Sequence, residues 1–193
     1  LGSAAVPALY EMLKPHDIPL VVDETVGSYY NVDPLPHCDV VMSSLTKFFN
    51  GVGDVMAGAL ILNGKSPRFD TIRRYLTEEY EDLLWAEDAV LLLDRSSDYE
   101  TRMARINSTA EQLADYLNTH PKVETVYYPK FSNRANYSSV MREQGGYSGL
   151  MSVLVKDAEA NAPVFFDALR VNKGPSLGTN YSLACPYTLL AHY

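Results

Sequence analysis

Disulfides, metal clusters and membrane spans all lack their raw material in this chain. Only two of its 193 residues are cysteine, Cys38 and Cys185. Two cysteines do not make a disulfide framework, and neither has a ligand partner at useful spacing. His37-Cys38-Asp39 are adjacent, and adjacent side chains cannot easily converge on one ion. A reducing compartment is the natural reading, with a cytoplasmic location expected. No apolar run reaches the roughly 20 residues that cross a bilayer, and no signal-peptide pattern opens the chain. Positive charge is also short: 16 Lys and Arg against 24 Asp and Glu leave a net −8. That disfavours nucleic acid, whose phosphates call for clustered cations. There is no internal repeat or low-complexity tract. The remaining balance, 47% hydrophobic and 21% charged, is an ordinary globular one with room for one domain or two small ones.

What is there centres on two apolar runs that end in chemistry. Pro19-Leu20-Val21-Val22 runs into Asp23, with Glu24 and Thr25 behind it, and Val40-Val41-Met42 runs into Ser43-Ser44-Leu45-Thr46-Lys47. Each has the form of a buried strand reaching the sheet edge where ligands sit in α/β folds. Singly, an Asp there is a turn residue, the hydroxyls are loop residues and the lysine is solvated. As a set at one edge, an acid, two hydroxyls and an amine suit a cofactor with a basic ring nitrogen, a phosphate and an aldehyde. Pyridoxal phosphate carries all three. Lys47 would form the Schiff base, Asp23 would keep the ring nitrogen protonated, and Ser44 and Thr46 would hold the phosphate. Thr25 would touch the ring face or pack in the core. Gly51-Val52-Gly53 is not a dinucleotide fingerprint, because a strand rather than a helix follows. These glycines instead let the backbone bend tightly around the lysine.

Periodicity gives the rest. A helix is expected over residues 3–14, capped by Ser3, buried through Val6, Leu9, Tyr10 and Leu13, and ended by Pro15. Strands are expected over residues 18–23, 39–44 and 55–63, the last joined by a loop or hairpin that makes part of the sheet antiparallel. Helices follow over 66–79, 83–93 and 99–118. The last buries Met103, Ile106, Ala110, Leu113 and Leu117, with Ser96-Ser97-Asp98 as cap and domain boundary. Beyond it, strands over 123–128 and 148–155, a helix over 160–169 and a strand-like return over 172–183 suggest a small α+β domain. Residues 133–142 read as an exposed loop or short helix. Tyr127-Tyr128-Pro129 reads as structural, and Arg73-Arg74 as a solvated helix face.

The same residues carry a resemblance. Asp23-Glu24-Thr25, Ser44-Leu45-Thr46-Lys47 and Gly51-Val52-Gly53-Asp54-Val55-Met56-Ala57-Gly58 resemble the Cys/Met-metabolism (trans-sulfuration) family of pyridoxal phosphate enzymes. Arg102-Met103, His120-Pro121-Lys122-Val123, Val126-Tyr127-Tyr128-Pro129 and Ser176-Leu177-Gly178 continue it in order, and the tail from Lys173 to Tyr193 is most like the fungal synthase branch. The resemblance implies a type I pyridoxal phosphate-dependent transferase fold of the α/β class. Part of a large domain, a mixed, mostly parallel sheet with helices, would span 1–96, and a truncated small C-terminal α+β domain 97–193. It implies γ-replacement on an activated homoserine ester, as in cystathionine γ-synthase, on the way to methionine. Ser176 and Leu177 would line the substrate carboxylate site, or else form a simple turn. Pro175 stands where the lyases often carry an acid, which favours a synthase, and Val52-Gly53 replaces a histidine common in the family. A lyase, a sulfhydrylase, a carbon-nucleophile variant and a non-catalytic fragment are the alternatives. A homodimer or homotetramer with shared active sites is implied, acting on small amino-acid substrates. Both ends of the chain read as cuts through a longer protein. The phosphate loop, the stacking aromatic and the carboxylate-binding arginine would then lie outside it.

Overall fold

The computed structural model describes residues 2–191; the expected resemblance at His192-Tyr193 lies outside the described residues. Its centre is a three-stranded sheet in the order β1 (Val21–Asp23), β2 (Val40–Ser44), β3 (Gly58–Leu62). β1 runs parallel to β2, with Val21 opposite Val40 and Asp23 opposite Met42. β3 returns antiparallel, with Ser44 opposite Gly58, so the sheet is mixed as expected. The middle strand is the most enclosed: Val40 and Val41 are buried. Its entry is fixed by Asp39, a wholly buried acid that accepts from the Leu20 N–H at 2.7 Å and from the Ser66 hydroxyl at 2.5 Å. The Arg68 guanidinium adds a third donor at 3.4 Å, so this buried charge is paired and hydrogen-bonded.

Helix α1 (Val6–Leu13) precedes the sheet, and α2 (Phe69–Glu79) and α3 (Ala86–Ser96) follow it. Ser3 does not cap α1. Ala5 holds that position without a side-chain bond, and the Ser3 carbonyl instead accepts from Asn136 Nδ2 at 2.8 Å. Helix α3 starts at Ala86 rather than residue 83, leaving Leu83 and Trp85 exposed and extended before it. Asp98 is no side-chain cap either: its carboxylate turns to the Arg102 guanidinium one helical turn ahead.

Helix α4 (Tyr99–Asn118) is the long element that joins the two halves. Its first turns bury Tyr99 and Met103 against Phe48, and its last turns bury Ala110 and Ala114 against Val126 and Tyr128. The sequence placed Leu113 inside, but Leu113 is 48% exposed and Ala114 takes the core position. There the helix meets β4 (Val123–Tyr127), and an alanine lets the backbones approach. β4 pairs antiparallel with β5 (Ser152–Val155), with α5 (Arg134–Ser138) between them in sequence and α6 (Ala158–Ala168) after. The strand-like return expected over 172–183 reduces to β6 (Asn172–Lys173) and β7 (Leu183–Ala184), which pair in parallel around a loop. A last short helix, α7, covers Tyr187–Ala191. Asn31 and Asn107 tie the halves from within. Asn107 Nδ2 donates to Asn31 Oδ1 at 2.7 Å, which also accepts from the Gly146 N–H at 2.8 Å.

Candidate active site

The two apolar runs do end side by side. Asp23 is the last residue of β1 and is open to solvent, while Ser44 is the last residue of β2. Asp23 Oδ1 accepts from the Thr25 N–H at 2.9 Å, a local turn that leaves its other oxygen without a partner among the described residues. The Thr25 hydroxyl in turn accepts from the Ser44 N–H at 2.8 Å. Thr25 therefore ties the ends of β1 and β2 together, a role the sequence did not show. The Ser44 hydroxyl has no hydrogen bond among the described residues, whereas Thr46 Oγ1 bridges Ala57, accepting from its N–H at 3.1 Å and donating to its carbonyl at 3.4 Å.

Lys47 sits in a single wide turn over Leu45–Phe49, where the Asn50 N–H reaches five residues back to the Leu45 carbonyl at 2.9 Å. Lys47 itself leaves helical geometry, with φ −86° and ψ −121°. Such wide turns concentrate at functional sites. Among the described residues its ammonium makes no hydrogen bond and no ion pair, and its side chain is half-buried. A partnerless amine on the kinked turn that leaves β2, an open carboxylate at the end of the neighbouring β1 and an open hydroxyl at the end of β2 make a donor set that fits pyridoxal phosphate. Among the described residues no group of His, Cys, Asp and Glu could hold a metal ion, and no helix is long and apolar enough to cross a membrane.

The Ser176-Leu177-Gly178 segment does come to the lysine. Gly178, at φ +77°, lies so close that a Cβ there would stand 2.8 Å from the Lys47 carbonyl carbon. The partly buried Leu177 packs against Phe48, Tyr99 and Met103. Ser176 is exposed.

Two residues had no role assigned from the sequence. Glu24 follows Asp23 and is only 5% exposed, with Oε2 unpartnered among the described residues. Burial raises its carboxyl above the usual range, Ser43 hydrogen bonding opposes this, the Asp23 charge adds to it, and Arg142 lowers it. It lines a cleft under the turn with Ser28, Ser43, Phe48, Phe49 and Tyr99. Arg102 was visible as a motif residue but had no role; it donates to the carbonyls of Phe48 and Phe49 on the lysine turn.

Known proteins resemble this chain in sequence and fold. The chain is 44% identical over 184 residues to the cystathionine gamma-synthase of Neurospora crassa, covering 95% of this chain and 30% of that protein. It is also 44% identical to a cystathionine gamma-synthase-like protein of Aspergillus thermomutatus, covering 90% of this chain and 31% of that one. The chain thus spans about a third of the length of these relatives. The crystal structure of cystathionine gamma synthase from Xanthomonas oryzae pv. oryzae, in complex with aminoacrylate and cysteine, superposes with a TM-score of 0.86 at 25% identity. It is covered by half, and this chain wholly. The expected fold, part of a type I pyridoxal phosphate enzyme, stands on that superposition. The family described as Cys/Met metabolism PLP-dependent enzyme matches residues 3–192. The chain therefore belongs to the Cys/Met-metabolism family of pyridoxal phosphate-dependent enzymes.

Proposed function

We propose that this chain supplies the lysine half of an active site for pyridoxal phosphate-dependent γ-replacement on an activated homoserine ester, with cysteine as the incoming nucleophile. The carrying observation is the Lys47 amine, partnerless among the described residues, on the turn that leaves β2 next to the Asp23 end of β1. When bound, the cofactor supplies an electron sink for charge developing at the substrate α carbon. Lys47 would hold the cofactor through its amine and, as a free amine, would move protons at the substrate α and β carbons. Asp23 would keep the ring nitrogen protonated. Ser44 and Thr46 donate to the phosphate. For Thr46 this means giving up its long bond to the Ala57 carbonyl. Thr25 positions Ser44 through the 2.8 Å bond. Ser176 and Leu177 approach the substrate carboxylate.

The division at residues 96 and 97 belongs to the same reading, supported by the sheet β1–β3 lying before it and β4–β7 after it. So do a cytoplasmic location and a homodimer or homotetramer whose subunits share active sites. Pro175, where lyases often carry an acid, supports synthesis over elimination. The test is product analysis of the full-length protein given O-acetyl- or O-succinylhomoserine, with and without cysteine. A thioether formed only with cysteine is expected. Formation of 2-oxobutyrate and ammonia at the same rate in both arms, without thioether, would overturn the reading.

A further inference from the structure

The turn that carries Lys47 cannot satisfy its own backbone. A helix end leaves carbonyls without partners, and here the break at Lys47 strands those of Phe48 and Phe49 after one turn. Both are taken by one side chain from the far half of the chain. Arg102 Nη1 donates to the Phe48 carbonyl, and Nη2 donates to those of Phe49 at 3.1 Å and Arg95 at 3.2 Å. Asp98, one turn earlier and just before α4, accepts from Arg102 Nε at 3.2 Å and fixes the plane of the fork. A planar guanidinium can serve several acceptors at once, which a lysine ammonium on a flexible stem does less well.

The surrounding glycines are shaped to this grip. Gly51 has φ +76°, and a Cβ there would stand 2.7 Å from Arg102 Cζ. The Gly51 carbonyl accepts from the Asn180 N–H at 2.6 Å, which draws in the loop that carries Gly178. Gly178 then meets the turn at the Lys47–Phe48 peptide, where a Cβ would stand 2.6 Å from Phe48 N and 2.9 Å from Lys47 Cβ. Neither glycine can become an L-residue without strain, because both lie in the left-handed region.

We propose that Arg102 and Gly178 are positioning residues for Lys47: they brace its turn at the Phe48 and Phe49 carbonyls and at the Lys47–Phe48 peptide, and present the amine in one orientation. The proposal rests on Lys47 being the cofactor lysine. Its consequence is kinetic. An oriented amine attacks the cofactor aldehyde faster than one on a fraying turn, because less freedom is lost on the way to the reacting geometry.

The test uses the full-length protein freed of cofactor, as wild type, Arg102→Met, Arg102→Lys and Gly178→Ala. Two quantities are read: the rate at which added pyridoxal phosphate becomes borohydride-trappable on Lys47, and amide exchange at Asn50 and Gly51 without cofactor. Arg102→Met and Gly178→Ala should each slow attachment by about ten-fold or more and speed exchange at both amides. Arg102→Lys should recover part of each, since an ammonium keeps the charge and donors but not the rigid planar fork. Lys130→Met serves as the control, because it removes surface ion pairs to Glu111 and Asp115 far from the turn. It should change neither readout. If Arg102→Met fails to fold, Gly178→Ala decides. Attachment and exchange at wild-type rates in the folded variants would overturn the proposal, as would equal slowing in Lys130→Met. Trapping of the wild type on another lysine would instead overturn the assignment of Lys47, while the exchange data would still report on the grip.

Discussion

Asp23 and Glu24 are neighbours in the chain but lie on opposite faces of the sheet. The Glu24 N–H continues the ladder beyond β1, donating to the Met42 carbonyl at 3.0 Å, so the strand's alternation carries through it. One carboxyl is open at the sheet edge, and the other is 95% out of solvent above Ser43. Two acids in sequence thereby have opposite tasks: a charge to be presented and a charge to be suppressed.

The suppressed one gives a pH signature. Burial raises the folded-state pKa of Glu24 above its unfolded value, near 4.3 for an ordinary glutamate. Its contribution is therefore fully present below that value and lost as pH rises through the folded-state pKa. Denaturant unfolding across this range should show Glu24→Gln losing less stability with rising pH than the wild type. Parallel curves would show that folding does not raise the pKa of Glu24.

Removing the tie between the strand ends should be felt twice. Thr25→Val keeps the side-chain shape but leaves the Ser44 N–H without its acceptor. A loss of about 1–2 kcal/mol in unfolding free energy is expected, together with weaker cofactor binding as Ser44 shifts. Thr25→Ser, which keeps the hydroxyl, should restore both. Unchanged stability in the valine variant would mean the bond contributes nothing.

The two cysteines should differ sharply. Cys38 is wholly buried, and its thiol is pushed up to about 12, by burial first and then by Asp39 and Asp33. Cys185 is only half-buried. Iodoacetamide at mildly alkaline pH should modify Cys185 in the folded protein and spare Cys38 until denaturant is added. Peptide mapping reads this directly; equal labelling would contradict the packing around β2.

Much of this site is legible in the sequence, and the reason is local. β1 and β2 announce themselves as short apolar runs ending in polar groups, and α4 as a 3.6-residue period kept over five turns. Leu113 misleads because hydrophobicity is visible in a sequence and interatomic room is not; the contact with Val126 and Tyr128 takes the smaller Ala114. Leu83 and Trp85 mislead in the same way, being apolar enough for a helix yet lying before it. Arg102 is the larger omission. Its partners stand 54 and 53 residues earlier, and nothing within one helical turn names them. The available signals were Asp98 four residues before it and a glycine that turned out to need positive φ.

Asp23→Asn separates binding from chemistry. Asparagine can still accept from the Thr25 N–H, so the turn and the cofactor should be retained. An amide does not hold the ring proton as a carboxylate does, so most turnover should be lost. A cofactor titration and a rate measurement on one preparation would show this; an unchanged rate would remove Asp23 from the mechanism.

The most direct measurement is the site of covalent attachment. The full-length protein, reduced with borohydride in the presence of pyridoxal phosphate, is digested and its peptides weighed. The added mass should fall on Lys47, and Lys47→Ala should abolish it while leaving the fold intact. Label on Lys65 or any other lysine, with Lys47 unmodified, would contradict the site described above.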